Sequence, residues 1–184
     1  SEEKKISLCN SGVIAVSGGK IKDLLAAVNN NNASGEYYLT DIVAIAKNKK
    51  LKCGFIKASE EEVMGVNSRV DLSRAEAVKQ NKLRHNLMEG GVTMFDPTSV
   101  YLSFDTKIAH DVVLHPQVSF GAGVVIDSNV EIKSFCHIEG AEIKSRSVIG
   151  PFARIRPGTI VNQDVRIGNF VEIKKSDIKQ GAKI

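Results

Sequence analysis

Four basic residues late in the chain, Arg154, Arg156, Lys174 and Lys175, have types and spacing that could do chemistry. A guanidinium offers a planar fork of donors and an ammonium a compact charge, so the two together can grip one phosphate from two sides. Arg156 and Lys174 lie 18 residues apart, and a chain that coils with that period would stack them on one face. The rival reading is an ordinary solvated charged face. Asn10 and Asn67 lie close to Gly12 and Gly65 in turn-like settings. An amide there either bonds a ligand or closes its own turn, because Asn tolerates left-handed backbone. Tyr37 and Tyr38 either present hydroxyls to a pocket or pack. Cys9, Cys53 and Cys136 are odd in number and lack CxxC spacing, so they read as buried thiols and not as a disulfide framework or zinc site.

The elements that must position these groups follow from a six-residue beat. Ile108, Leu114, Phe120, Ile126, Ile132, Ile138, Ile143, Ile149, Ile155, Val161, Ile167, Ile173, Ile178 and Ile184 recur along the second half, with a small or β-branched residue two positions before each. This is the pattern of hexapeptide repeats wound into a β-helix, in which each hexapeptide gives one short strand and a turn, and three make one triangular coil. No coil buries its own apolar side, so stacking supplies the core. The beat shortens to five at Ile143 and Ile178, a change that turns can absorb. Ile184 is itself a beat position, and the expectation is that the chain is a piece of something longer. His110, His115 and His137 occupy three different positions of the hexapeptide, so they do not converge in one column as zinc ligands must.

The first half follows another pattern. Residues 5–16 give two short apolar runs broken by Asn10-Ser11-Gly12, and Ile21, Leu24, Leu25 and Val28 space as one helical face. After a polar loop, Thr40 is placed to cap a helix carrying Ile42, Val43, Ile45 and Ala46, and residues 51–57 read as a strand. The alternation predicts an α/β fragment. Residues 70–88 predict a long connecting helix ended by Gly90-Gly91. No glycine-rich phosphate loop opens the α/β portion, which is also shorter than a complete doubly wound domain.

The chain is 42% apolar and carries a net charge of +4 spread widely, with neither a membrane-length apolar run nor a signal segment at the N-terminus. That agrees with a soluble, cytoplasmic protein that binds neither membrane nor nucleic acid. The lysines at 47–52 lack the aromatic interleaving of a nucleic-acid surface.

Cys9-Asn10-Ser11-Gly12, the run Asn30-Asn31-Asn32-Ala33-Ser34-Gly35-Glu36-Tyr37-Tyr38-Leu39-Thr40-Asp41 and Gly65-Val66-Asn67-Ser68-Arg69 occur in that order ahead of the arm helix and the repeats. Together with residues 150–158 and 165–175 they resemble the bifunctional N-acetylglucosamine-1-phosphate uridyltransferase/glucosamine-1-phosphate acetyltransferase family. The resemblance covers essentially the whole chain. It implies the C-terminal part of a Rossmann-like nucleotidyltransferase domain at 1–69, a connecting helix at 70–91 and a truncated left-handed parallel β-helix at 92–184, assembled as a homotrimer. It implies acetyl transfer from acetyl-CoA to glucosamine-1-phosphate, then uridylyl transfer from UTP with Mg2+. On the same resemblance Asn10 would bond the sugar, Tyr38 and Thr40 would line its pocket, Asn67 would ligate magnesium, and Arg156 and Lys174 would hold the sugar phosphate. An amide oxygen suits that hard cation.

The departures matter as much. The family's N-terminal half, with its nucleotide loop and the aspartate that shares the magnesium, has no counterpart here, and its catalytic histidine coil would begin beyond Ile184. No complete catalytic set is expected in these residues, and the chain alone is expected to be inactive. Two further readings stand beside the bifunctional one: a non-catalytic trimerising module, and a sugar-1-phosphate nucleotidyltransferase of other specificity.

Overall fold

A computed structural model describes residues 8–184. They fall into two units, divided between Val66 and Asn67. In the first, α1 (Gly18–Leu25) and α2 (Asp41–Asn48) pack through Leu24, Ile42 and Ala46, with Ile14, Val16, Val28, Ile45 and Leu51 around them. The strands expected at residues 5–16 and 51–57 are not formed among the described residues, and residues 5–7 lie outside them. An apolar run becomes a strand only when a neighbour takes its N–H and C=O groups, and no described segment does so; Phe55 and Ile56 are left exposed. Thr40 precedes α2, yet its hydroxyl makes no capping bond. Its backbone is already helical, whereas a capping side chain needs an extended one.

The second unit opens with α3 (Arg69–Glu89). Ser68 caps it, its Oγ accepting the Asp71 N–H at 3.1 Å while the Asp71 carboxylate accepts the Ser68 hydroxyl at 2.7 Å. That reciprocal bond holds the Asp71 carboxyl below the usual range. Gly90 ends the helix.

Fourteen short strands follow. They are β1 Thr93–Met94, β2 Lys107–Ile108, β3 Val113–Leu114, β4 Ser119–Phe120, β5 Val125–Ile126, β6 Glu131–Ile132 and β7 His137–Ile138. The chain continues with β8 Ala141–Ile143, β9 Val148–Ile149, β10 Arg154–Ile155, β11 Thr159–Val161, β12 Arg166–Ile167, β13 Glu172–Ile173 and β14 Asp177–Ile178. They form three parallel sheets with orders β1-β3-β6-β9-β12, β4-β7-β10-β13 and β2-β5-β8-β11-β14, the three faces of a solenoid.

Every beat residue from Ile108 to Ile178 ends a strand. The shortened beat at Ile143 leaves the column intact, because Ile126 pairs with Ile143 and Ile143 with Val161. One coil was not announced by the beat: β1 and the bridge from Tyr101 to Ser119 carry Met94 and Leu102 inward. A single-turn 3-10 helix at Pro97–Ser99 stretches their spacing to eight residues and hides the period. Cys136 is buried in this core, and burial pushes its thiol up. Cys9 and Cys53 are exposed, contrary to the expectation of three buried thiols, because the segments that carry them belong to no core.

The arm helix meets the solenoid through Leu83 and Leu87, which pack against its core, and through two buried polar groups. Val70, Leu72 and Met88 are exposed, whereas Gln80 and Arg84 are buried. The Gln80 amide accepts the Leu102 N–H at 2.9 Å and donates to the Leu102 carbonyl at 2.6 Å, so a side chain takes the place of a neighbouring strand at the solenoid's lower edge. Arg84 donates to the Val100 carbonyl at 3.0 Å. An open edge of backbone groups invites aberrant pairing, and these two residues close it. Gln80→Leu strands both groups of Leu102 and is expected to cost about 2 kcal/mol, the usual loss for buried backbone groups without partners. Urea melts of the two proteins check this.

Candidate functional site

The basic cluster stands on the face formed by β4, β7, β10 and β13. β10 and β13 pair in parallel with Arg154 opposite Glu172 and Ile155 opposite Ile173. Side chains alternate across a strand, so the two isoleucines enter the core while Arg154, Arg156, Glu172 and Lys174 face outward. The Arg156 N–H donates to the Ile173 carbonyl at 2.8 Å, which seats Arg156 beside Lys174 on the next coil.

Glu172 lies between the cations. Its Oε1 is 3.0 Å from Nη1 of Arg156 and 3.9 Å from Nη1 of Arg154. Among the described residues the Lys174 ammonium has no ion pair or hydrogen bond, and Nε of Arg156 is buried without a partner. Two guanidiniums therefore share one carboxylate, and the Lys174 ammonium beside them has donor capacity to spare for an anion. Sequence reasoning did not place Glu172 in the site. The signal was available: an opposite charge 18 residues from Arg154 is one coil away.

The turn after Arg156 depends on close backbone approach. At Gly140 a Cβ would stand 2.8 Å from Cβ of Pro157, and φ is +53°. No other residue permits Pro157-Gly158 to settle so near the coil below.

The remaining candidates lie outside this face. Asn10 closes its own turn, its Oδ1 accepting the Gly12 N–H at 3.1 Å. Asn10, Tyr38 and Thr40 are exposed in the first unit, and no hydrogen bond joins any two of them. Asn67 belongs to the second unit, where its N–H reaches the Asp71 carboxylate at 3.3 Å and its exposed side-chain amide makes no hydrogen bond among the described residues. His110 bonds the neighbouring Asp111 at 2.7 Å, His115 bonds Glu131 at 2.9 Å, and His137 lies opposite Arg154 in the register. Among the described residues no group of three or more His, Cys, Asp or Glu side chains is placed to hold a metal ion, and no helix is long and apolar enough to cross a membrane.

Parallel coils of this kind define a hexapeptide-repeat β-solenoid. Residues 140–175 match the family described as bacterial transferase hexapeptide (six repeats). The whole chain is similar to proteins called bifunctional protein GlmU: 46% identical over 183 residues to that of Paramagnetospirillum magneticum and 48% to that of Zymomonas mobilis, covering 100% of this chain in both cases. The protein of that name from Xanthobacter autotrophicus is 50% identical over 182 residues, 99% of this chain. The likeness to GlmU proteins runs over the whole chain, which spans 41% of the length of each of these relatives.

Proposed function

We propose that this chain carries the sugar-phosphate grip of a glucosamine-1-phosphate acetyltransferase β-helix, with acetyl-CoA as co-substrate, preceded by the end of a uridyltransferase domain. The single observation that carries the reading is the Arg156 and Lys174 pair on consecutive coils of one face, with a free ammonium and an unpartnered guanidinium nitrogen. In this reading Arg156 meets the phosphate with its planar fork and Lys174 neutralises the second charge. Glu172 holds the Arg156 guanidinium ready and yields it when the anion arrives. The parent protein would act in the cytoplasm as a homotrimer of left-handed solenoids.

Asn10, Tyr38 and Thr40 are proposed for the sugar end of the uridylyl reaction, with UTP as the nucleotide donor. The free Asn67 amide fits magnesium as one neutral oxygen ligand. Carboxylate and phosphate oxygens would have to complete the coordination. Bound there, the ion would neutralise charge developing on the nucleotide phosphates. The chain alone is proposed to bind sugar phosphate without turning it over.

Calorimetric titration tests this. Glucosamine-1-phosphate is expected to bind weakly, with Kd on the order of 1 mM, and more weakly still at high salt, because exposed charges are screened. Glucosamine without phosphate is expected not to bind. Arg156→Ala and Lys174→Ala should each weaken binding by about tenfold or more, the usual worth of one charge-assisted hydrogen bond. Glu172→Gln should tighten it by releasing the guanidinium. Binding that survives loss of both cations would overturn the assignment.

A further inference from the structure

Arg154 stands directly across from Glu172 in the register of β10 and β13, yet the closer contact of that carboxylate runs diagonally to Arg156. The Glu172 Oε1 atom is 3.0 Å from Arg156 and 3.9 Å from Arg154, and the longer contact is the one ion pair Arg154 makes among the described residues. On the coil below, His137 lies opposite Arg154, and the Glu139 N–H donates to the Ile155 carbonyl at 2.9 Å. Among the described residues neither side chain bonds a guanidinium, so Glu172 is the only carboxylate either one has. The side chains of Arg154, Arg156 and Glu172 are 55%, 37% and 52% exposed. Water screens both pairs, which leaves little energy separating them.

We propose that Arg154 is a positioning residue for anion binding, receiving the Glu172 carboxylate when a sugar phosphate takes Arg156. The inference rests on the Arg156 and Lys174 grip of the proposed function and deepens it by naming where the displaced charge goes. A phosphate monoester carries nearly two negative charges at neutral pH, and a carboxylate left beside it repels it. Lys174 is committed to the phosphate in that reading. Arg154 is the cation left over, already in register with Glu172 and needing only to shorten its 3.9 Å contact. The hand-off keeps the carboxylate paired before and after the anion arrives. Charge, and not a planar fork, is what Arg154 supplies, because it meets Glu172 through a single nitrogen.

Glucosamine-1-phosphate titrated into the chain, with binding read from NMR chemical shifts, tests this in a cycle of Arg154→Gln, Glu172→Gln and the double variant. Arg154→Gln is expected to raise Kd about three- to fivefold, the worth of an exposed ion pair. It should matter far less once Glu172 is already Gln, since no displaced charge then needs a partner. Arg154→Lys should restore the parent Kd. Equal losses in both backgrounds would mean that Arg154 touches the phosphate or merely supports the fold, and would overturn the hand-off while leaving the grip. An unchanged Kd in Arg154→Gln does the same. A parent chain that shows no binding at about ten times the Kd expected for it overturns grip and hand-off together.

Discussion

Gly150→Ala is expected to cost roughly 2–5 kcal/mol, a large part of the 5–15 kcal/mol by which a typical domain is stable. Two independent terms add. Gly150 has φ +86°, where an L-residue is strained by about 1–2 kcal/mol. A Cβ at this position would also overlap Sγ of Cys136, a buried thiol held 3.7 Å from the Ile149 carbonyl and 3.9 Å from that of Ser134. Relieving such overpacking by shifting a close-packed core costs about 1–3 kcal/mol more. Backbone movement is restrained as well, since the Gly150 N–H donates to the Ile167 carbonyl at 2.8 Å on the next coil. Cys136→Ala removes the overlapping atom, so the double variant should recover about 1–3 kcal/mol relative to the sum of the single changes. Urea melts of the four proteins measure that coupling. Strict additivity would sink the steric account and leave backbone strain alone.

Phe120→Ala should destabilise the solenoid by about 3–5 kcal/mol, the usual cost of truncating a buried phenylalanine to alanine. Phe120 is the aromatic member of an inward set otherwise made of Leu, Ile, Val and Met, and only 2% of it is exposed. Its N–H also donates to the Tyr101 carbonyl at 2.8 Å, tying the first coil to the second. In a solenoid each coil contacts only its neighbours, so damage stays local until coupling fails. The loss is therefore expected first at the Tyr101 and Ser119 bridge and at the Gln80 contacts with Leu102, where hydrogen exchange should speed up before the upper coils respond. Uniform acceleration from β1 to β14 would contradict this local failure. A change below about 1 kcal/mol would mean that the core collapses to fill the space.

Residue types alone were enough to establish the solenoid, its inward column and the family resemblance of the motifs. The physical reason is repetition: each hexapeptide meets nearly the same surroundings as the one before it, so the local pattern of Ile, Leu and Val already describes the tertiary contact. The one-coil relation of Arg156 and Lys174 follows from the same period, and the register seats them on consecutive coils. Where the period is broken, the sequence is silent. The coil at Met94 and Leu102 is hidden by an inserted turn, and the apolar runs of the first half form no strand among the described residues because strand formation depends on a hydrogen-bonding partner that no single run contains. Tertiary structure also decided that α3 adds Gln80 and Arg84 to the apolar contacts of Leu83 and Leu87 and leaves Val70 and Leu72 exposed, since the backbone edge it must satisfy is polar. It placed Glu172 between two guanidiniums and Sγ of Cys136 against Gly150. Each of these joins residues on different elements or different coils, and their meeting is set by register and corner geometry, not by any one segment's own preference.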